Sequence, residues 1–199
     1  MPSRLLTNCY TPEFTTETNE PSPWTDCTFA DGLMLANKAS RGKYPNTRAE
    51  REALRRASGD TIGGASLQDL AKGIKNRYHW TLPVVPITLA TLELRLRRKY
   101  GAASSGLYAT FKGTKFARFD VHFSNQGSNS AHSMYFQGHD RKGYQHLNAA
   151  GKLQDVYVMD PLGRGTYKGE WMPWKLYVSY LMSLDHKNLY VATRGQGSV

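Results

Sequence analysis

The sequence predicts an α+β fold, N-terminal helices packed on an antiparallel β-sheet, because two periodicities divide the chain and each keeps to its own part. From Asp26 to Tyr100 apolar residues recur at the helical interval of about 3.6; after Gly101 β-branched and aromatic residues alternate with a period near 2. Helices gathered first and strands afterwards is the α+β order. It argues against a doubly wound nucleotide-binding sheet, in which the two alternate.

Residues 1–25 carry Pro2, Pro12, Pro21 and Pro23 among Thr, Ser and Asn, so they read as an extended N-terminal segment ahead of a domain spanning 26–199. Thr25 or Asp26 is suited to cap a first helix whose apolar positions are Phe29, Leu33, Met34 and Ala36, which puts Cys27 in its first turn. A second helix is expected over 48–58, with Ala49 and Leu54 inward and Gly59-Asp60 as its stop. Ser66 should cap a third, carrying Leu67, Leu70, Ala71 and Ile74 and ending near Asn76. Residues 88–100 suggest a fourth, with Leu89, Leu92 and Leu94.

Strands are expected over 106–111, 116–123, 132–136 and 155–159, separated by turn-rich stretches at 112–115, 124–130 and 138–153. The short spacings favour an antiparallel meander. A last helix over 173–184, with Leu176, Tyr177, Tyr180 and Leu181 inward, precedes a terminal strand at 188–193.

With 199 residues, 40% of them hydrophobic and 12% aromatic, the chain can bury one substantial core, so a globular domain is expected and disorder is not. No apolar run approaches the roughly 20 residues of a membrane span. The N-terminus lacks the apolar stretch of a general secretion signal. Cys9 and Cys27 permit one disulfide and no disulfide framework, and without CxxC pairing or a His/Asp cluster no metal site or cofactor is indicated. The net charge of +10 favours polyanionic partners. Nucleic acid is disfavoured, since zinc-finger spacing, a P-loop and RNA-binding aromatic motifs are all missing. The basic groups at Arg48, Arg51, Arg55 and Arg56 and at Arg95, Arg97, Arg98 and Lys99 read as solvated helix faces.

A thiol is nucleophilic as its thiolate, and the partial positive charge of a helix N-terminus favours that form; Cys27 is placed for it. Such a nucleophile needs an imidazole to take its proton and a third group to orient the ring. His132 opens a strand after a polar loop, and Asp160 ends the run Val156-Tyr157-Val158-Met159, so neighbouring antiparallel strands can join them. Of the other five histidines, His79 sits between Tyr78 and Trp80, His139 and His146 fall in a polar loop, and His186 falls in a turn. His122, on a strand, is the strongest competitor.

The stretch Asp26-Cys27-Thr28-Phe29-Ala30-Asp31-Gly32-Leu33-Met34, the later Ser58-Gly59-Asp60-Thr61 with Gly63-Gly64 and Ser66-Leu67-Gln68-Asp69-Leu70, then Ala131-His132-Ser133 and Val156-Tyr157-Val158-Met159-Asp160-Pro161-Leu162 resemble the papain-like cysteine peptidases. The likeness is to bacteriocin leader-processing peptidases and to peptidase domains of lysins and virion proteins from phages of actinobacteria. It covers roughly residues 23–194 and implies a papain-like fold, Cys27 as nucleophile, His132 as base and acid, and Asp160 as orienting carboxylate.

Two departures stand out. The oxyanion Gln usual about six residues before the nucleophile is replaced by Pro21, leaving Asn19 as the nearest upstream amide for that role. The residues after the nucleophile, Thr28-Phe29-Ala30, lack the Gly of many relatives. The resemblance implies a phage-encoded peptidase or amidase acting on bacterial cell-wall peptide, with anionic envelope polymers or other virion proteins as further partners. The alternative is a catalytically inactive papain-like virion or binding protein.

Overall fold

The computed structural model describes residues 3–6, 9–13, 27–59, 65–82, 84–86, 88–98, 101–104, 107–108, 131–132, 134–161, 169–182 and 190–194. The capping residues Thr25 and Asp26, the strand expected over 116–123, the turns at 112–115 and 124–130, and Asn19, Pro21, His122 and His186 lie outside them.

Among the described residues there are five helices: α1 (Cys27–Ala39), α2 (Arg48–Ser58), α3 (Leu67–Tyr78) and α4 (Leu89–Leu96) in the N-terminal half, and α5 (Trp174–Met182) after the strands. Their ends are set by local chemistry. Thr47 caps α2 by accepting from the Glu50 N–H, and Gly59 closes it at φ 83°, a left-handed conformation that costs glycine little. Ser66 and Asp69 form a reciprocal capping box on α3: Ser66 Oγ accepts the Asp69 N–H at 3.1 Å, and the Asp69 carboxylate accepts the Ser66 N–H at 2.9 Å. Thr88 caps α4.

All thirteen residues of α1 are buried, so it is the central helix and has no solvent face. It packs on α2 and α3 at one side and on the sheet at the other. Gly32 permits the close approach of α3, since a β-carbon there would stand 2.1 Å from Leu70 Cδ1.

Among the described residues the strands are β1 (Ser3–Leu5), β2 (Val84–Pro86), β3 (Gly101–Ser104), β4 (Leu107–Tyr108), β5 (Ala131–His132), β6 (Tyr135–Gln137), β7 (Tyr144–His146), β8 (Asp155–Met159), β9 (Glu170–Pro173) and β10 (Tyr190–Arg194). Six form one sheet in the order β2-β10-β3-β6-β8-β9, every described pairing antiparallel. Alternation along the strands makes two cores. Tyr135, Tyr157 and Met159 join Phe29, Met34, Leu54, Leu70 and Ile74 beneath the N-terminal helices. On the opposite face Phe136 meets Tyr177 of α5, with ring centroids 4.6 Å apart.

Several expectations need correction. The sheet is no simple meander: the C-terminal strand β10 inserts between β2 and β3. The stretch 138–153, read as turns, contains β7, which pairs with β1 of the N-terminal segment. Ala49 is exposed, because it lies about 140° around the helix from Leu54, and Arg51 takes the inward position with Leu54 and Ser58. Arg51 is therefore buried, not solvated. Leu94 is 45% exposed, opposite the buried pair Leu92 and Leu96, and Leu176 is exposed while its neighbour Tyr177 is buried.

Candidate active site

Two interactions, one electrostatic and one hydrogen-bonded, indicate how α1 lies along β6. The Asp31 carboxylate is close enough to Tyr135 to help burial hold the phenol well above its ordinary pKa. Seven residues later, Lys38 Nζ reaches Gln137 Oε1 at 3.1 Å and His139 Nε2 at 2.9 Å. The helix and the strand therefore run in the same direction. Cys27, four residues before Asp31, lies about 6 Å further back along the helix, past the Tyr135 end of the strand.

At that end of the sheet the chain enters β6, three residues after His132 on the separate β4-β5 ladder, and leaves β8 just before Asp160. Tyr135 pairs with Met159, the last residue of β8, and Asp160 follows directly. His132 precedes Tyr135 by three residues on β5, where its backbone pairs with Leu107. The backbone thus brings the start of α1, the approach to β6 and the end of β8 to one end of the molecule. Cys27 is 6% exposed and Asp160 4% exposed. Thr28, next to the thiol, is fixed by donating its hydroxyl to Ala65 O at 2.9 Å, which ties the first turn of α1 to the entry of α3. Asn19 lies outside the described residues.

The competing histidines within the described residues are elsewhere. His79 is exposed and closes α3 in a left-handed conformation at φ 59°. His139 is fully buried beside Lys38 at the far end of α1, not in a solvated loop. His146 belongs to β7, where its Nδ1 lies 2.9 Å from Asp155 Oδ2 and its ring stacks on Trp171 with centroids 3.8 Å apart. Asp155 begins β8 and Asp160 follows its end, so this second His–Asp pair sits about 16 Å from the Cys27 end of the sheet.

Neither polar cluster is announced by a local motif: the Lys38 cluster joins distant residues, and His146 and Asp155, nine positions apart, meet across a turn-rich stretch. Lys38 and His139 are 101 positions apart, and neither has a local motif around it. The signal in the sequence is a lysine within a helix whose residues are mostly apolar. Cys9 and Cys27 are not joined in a disulfide. Among the described residues no group of three His, Cys, Asp or Glu is placed to hold a metal ion, and no helix is long and apolar enough to cross a membrane.

No protein-family model matches the sequence, and no curated protein matches it. Among solved structures the chain is similar to one from Bacillus anthracis described as a C39-like peptidase, with a TM-score of 0.56 and 12% identity over 98% of this chain and 100% of that one. At that identity the likeness is one of architecture, and with the N-terminal helices packed on an antiparallel sheet it shows that the chain has a papain-like α+β fold.

Proposed function

We propose that the chain is a cysteine peptidase or amidase in which Cys27 is the nucleophile, His132 the general base and acid, and Asp160 the carboxylate that orients the imidazole. The observation that carries this reading is the common direction of α1 and β6, which sends Cys27 and the approach from His132 past the same end of the sheet as Asp160. Cys27 is also a buried thiol at the first position of α1, at the end of the helix where the backbone N–H groups have no partner within it.

In this mechanism His132 takes the Cys27 proton, the thiolate adds to the carbonyl carbon, and the C–N bond breaks as His132 returns the proton to the leaving amine. Water, deprotonated by His132, then cleaves the thioester and restores the thiol. The Cys27 N–H and the Asn19 amide are the donors assigned to the oxyanion. For substrate we assign the peptide part of a bacterial cell wall, supported by the resemblance to phage lysin domains and by a net charge of +10, which suits anionic envelope polymers.

The deciding experiment is hydrolysis of cell-wall peptides by the wild type and by Cys27→Ala. Turnover should vanish in the variant while its melting profile stays native; hydrolysis that survives the substitution rejects the mechanism. Pro21 at the usual oxyanion position favours a second reading, an inactive binding module of the same fold, and that reading requires a wild type that binds such peptides without cleaving them.

A further inference from the structure

Beside the six-stranded sheet, β1 and β7 form a ladder of their own, in which Ser3 stands opposite His146, Arg4 opposite Gln145 and Leu5 opposite Tyr144. The Leu6 N–H donates to Gly143 O one step further along, so the residues of β1 that exchange backbone hydrogen bonds with β7 are the even-numbered ones. Ser3 and His146 are therefore a non-hydrogen-bonded pair, in which Cα atoms come within about 4.5 Å and the side chains stand closest on one face. His146 O agrees with this phase, because it turns away from β1 and accepts from Gln154 N–H at 2.8 Å. Strand β7 thus has Ser3 on one flank and Asp155, the first residue of β8, on the other.

The imidazole between them is held on two sides. His146 Nδ1 lies 2.9 Å from Asp155 Oδ2, and the ring lies on Trp171 with centroids 3.8 Å apart and planes 15° from parallel. A carboxylate only accepts, so the ring proton belongs to Nδ1 and Nε2 keeps the lone pair. Ring geometry aims the two nitrogens in nearly opposite directions, which turns Nε2 away from Asp155. The side chains of His146 and Asp155 are still 33% and 16% exposed, so a small molecule can reach the ring.

We propose that Ser3, His146 and Asp155 form a second nucleophilic site, one that hydrolyses carboxylic esters with an apolar acyl chain. It is independent of the Cys27 chemistry and lies at the opposite end of β8. Ser3 is exposed, and its hydroxyl turns on a single bond on the β1 flank of the ring. The structure has no hydrogen bond between Ser3 and His146, and such contacts are often loose until substrate tightens them. The next pair on the same face, Leu5 and Tyr144, lies about 7 Å along the ladder. Both side chains are large, apolar and unusually open, 52% and 41% exposed, and together they make a shelf for the acyl chain.

In the reaction Nε2 takes the Ser3 proton as Oγ bonds to the carbonyl carbon; the ester C–O bond then breaks, and Nε2 returns the proton to the departing alkoxide. Water, deprotonated by Nε2, cleaves the acyl-serine to a carboxylic acid and restores the hydroxyl. The Ser3 N–H is turned from β7 toward the outer edge of β1, with which no strand pairs among the described residues, so it can donate to the oxyanion. A single donor in an open site suits an ester, whose alkoxide leaves readily, and not an amide.

The test uses the full chain carrying Cys27→Ala, so that its outcome does not depend on the Cys27 proposal. Its substrates are p-nitrophenyl hexanoate and acetate, and a fluorophosphonate probe followed by peptide mass spectrometry locates the nucleophile. Ser3 should be the residue modified, and hexanoate should turn over faster than acetate. Ser3→Ala should lower hexanoate hydrolysis roughly a hundredfold, and Asp155→Asn by at least about tenfold. Leu5→Ser should erase the preference for hexanoate while sparing acetate. Hydrolysis undiminished in Ser3→Ala, or a probe that modifies another residue or none, overturns the proposal; a hexanoate preference that survives Leu5→Ser overturns the acyl shelf. Ser3 is exposed, so its replacement leaves the fold in place and the result can be read directly.

Discussion

At the first position of α1, the Cys27 thiol sits at the end of the helix where backbone N–H groups have no partner within it. That setting comes from the fold and survives loss of the histidine; an ion pair with imidazolium does not. The two separate in the pH dependence of alkylation. With Cys9 replaced by Ser so that a single thiol remains, Cys27 should react with iodoacetamide rapidly well below pH ~8, the range of an ordinary thiol, and His132→Ala should move its reaction up toward that range. Slow alkylation indifferent to His132 rejects the proposed pairing. The place of Cys27 at a helix start is legible in the sequence because the apolar repeat behind it is a local pattern, and the place of Asp160 because it follows an apolar strand. That of Lys38 is not, since its partners Tyr10, Gln137 and His139 are assembled only by the tertiary fold.

Helices α2 and α3 form a unit that shows where sequence patterns succeed at the level of elements. The bounds of α2 and the Ser66 start of α3 follow from caps, which act within four residues, so they could be read directly. The inward faces of α2, α4 and α5 were less legible: Ala49, Leu94 and Leu176 are apolar, yet the helical angle turns each away from the buried stripe. Gly32 tests the packing of this unit on α1. Gly32→Ala places a methyl inside Leu70, so the helices must separate, and a loss of about 1–3 kcal/mol is expected in urea unfolding. An unchanged midpoint would mean that Leu70 moves freely aside. Glu50 tests the α2–α3 junction. It accepts from Arg77 Nε and Nη2, both at 3.0 Å, and from the Tyr78 hydroxyl at 2.8 Å. The hydrogen bond from Arg77, helped by Tyr78 and opposed by burial, holds its pKa below the usual carboxylate value of 4.5. A depressed folded pKa contributes stability above pH ~4.5 that is lost as pH falls through the lower folded value. Glu50→Gln should therefore cost roughly 1 kcal/mol at neutral pH and nothing in strong acid. A penalty that persists undiminished in strong acid would assign the loss to packing instead.

For the whole molecule, the consequential feature is the position of β10. The last described strand of the chain is interior to the sheet: Val191 pairs with Val85 on one side and with Ser104 on the other. No local pattern could reveal this, because the order β2-β10-β3 is decided by closing the sheet over α1, and α1 touches β3, β6 and β10 together. It follows that, among the described residues, β2 is held in the sheet through a strand made about a hundred residues later, which delays completion of the sheet until distant segments meet. Loss of each end of the chain should then have very different effects. Deleting residues 1–6 removes β1, whose described pairing is with β7 outside the six-stranded sheet, and should leave a cooperative thermal transition. Deleting residues 188–199 removes both ladders of β10, strands β2 from the sheet, and opens an unpaired edge on β3 directly beneath α1. That truncation should abolish the cooperative transition in calorimetry and promote aggregation. A truncated chain that melts as sharply as the full one would mean that the helices and the β3-β6-β8-β9 ladder fold without closure of the sheet, and that β10 is an addition to the core instead of a condition for it.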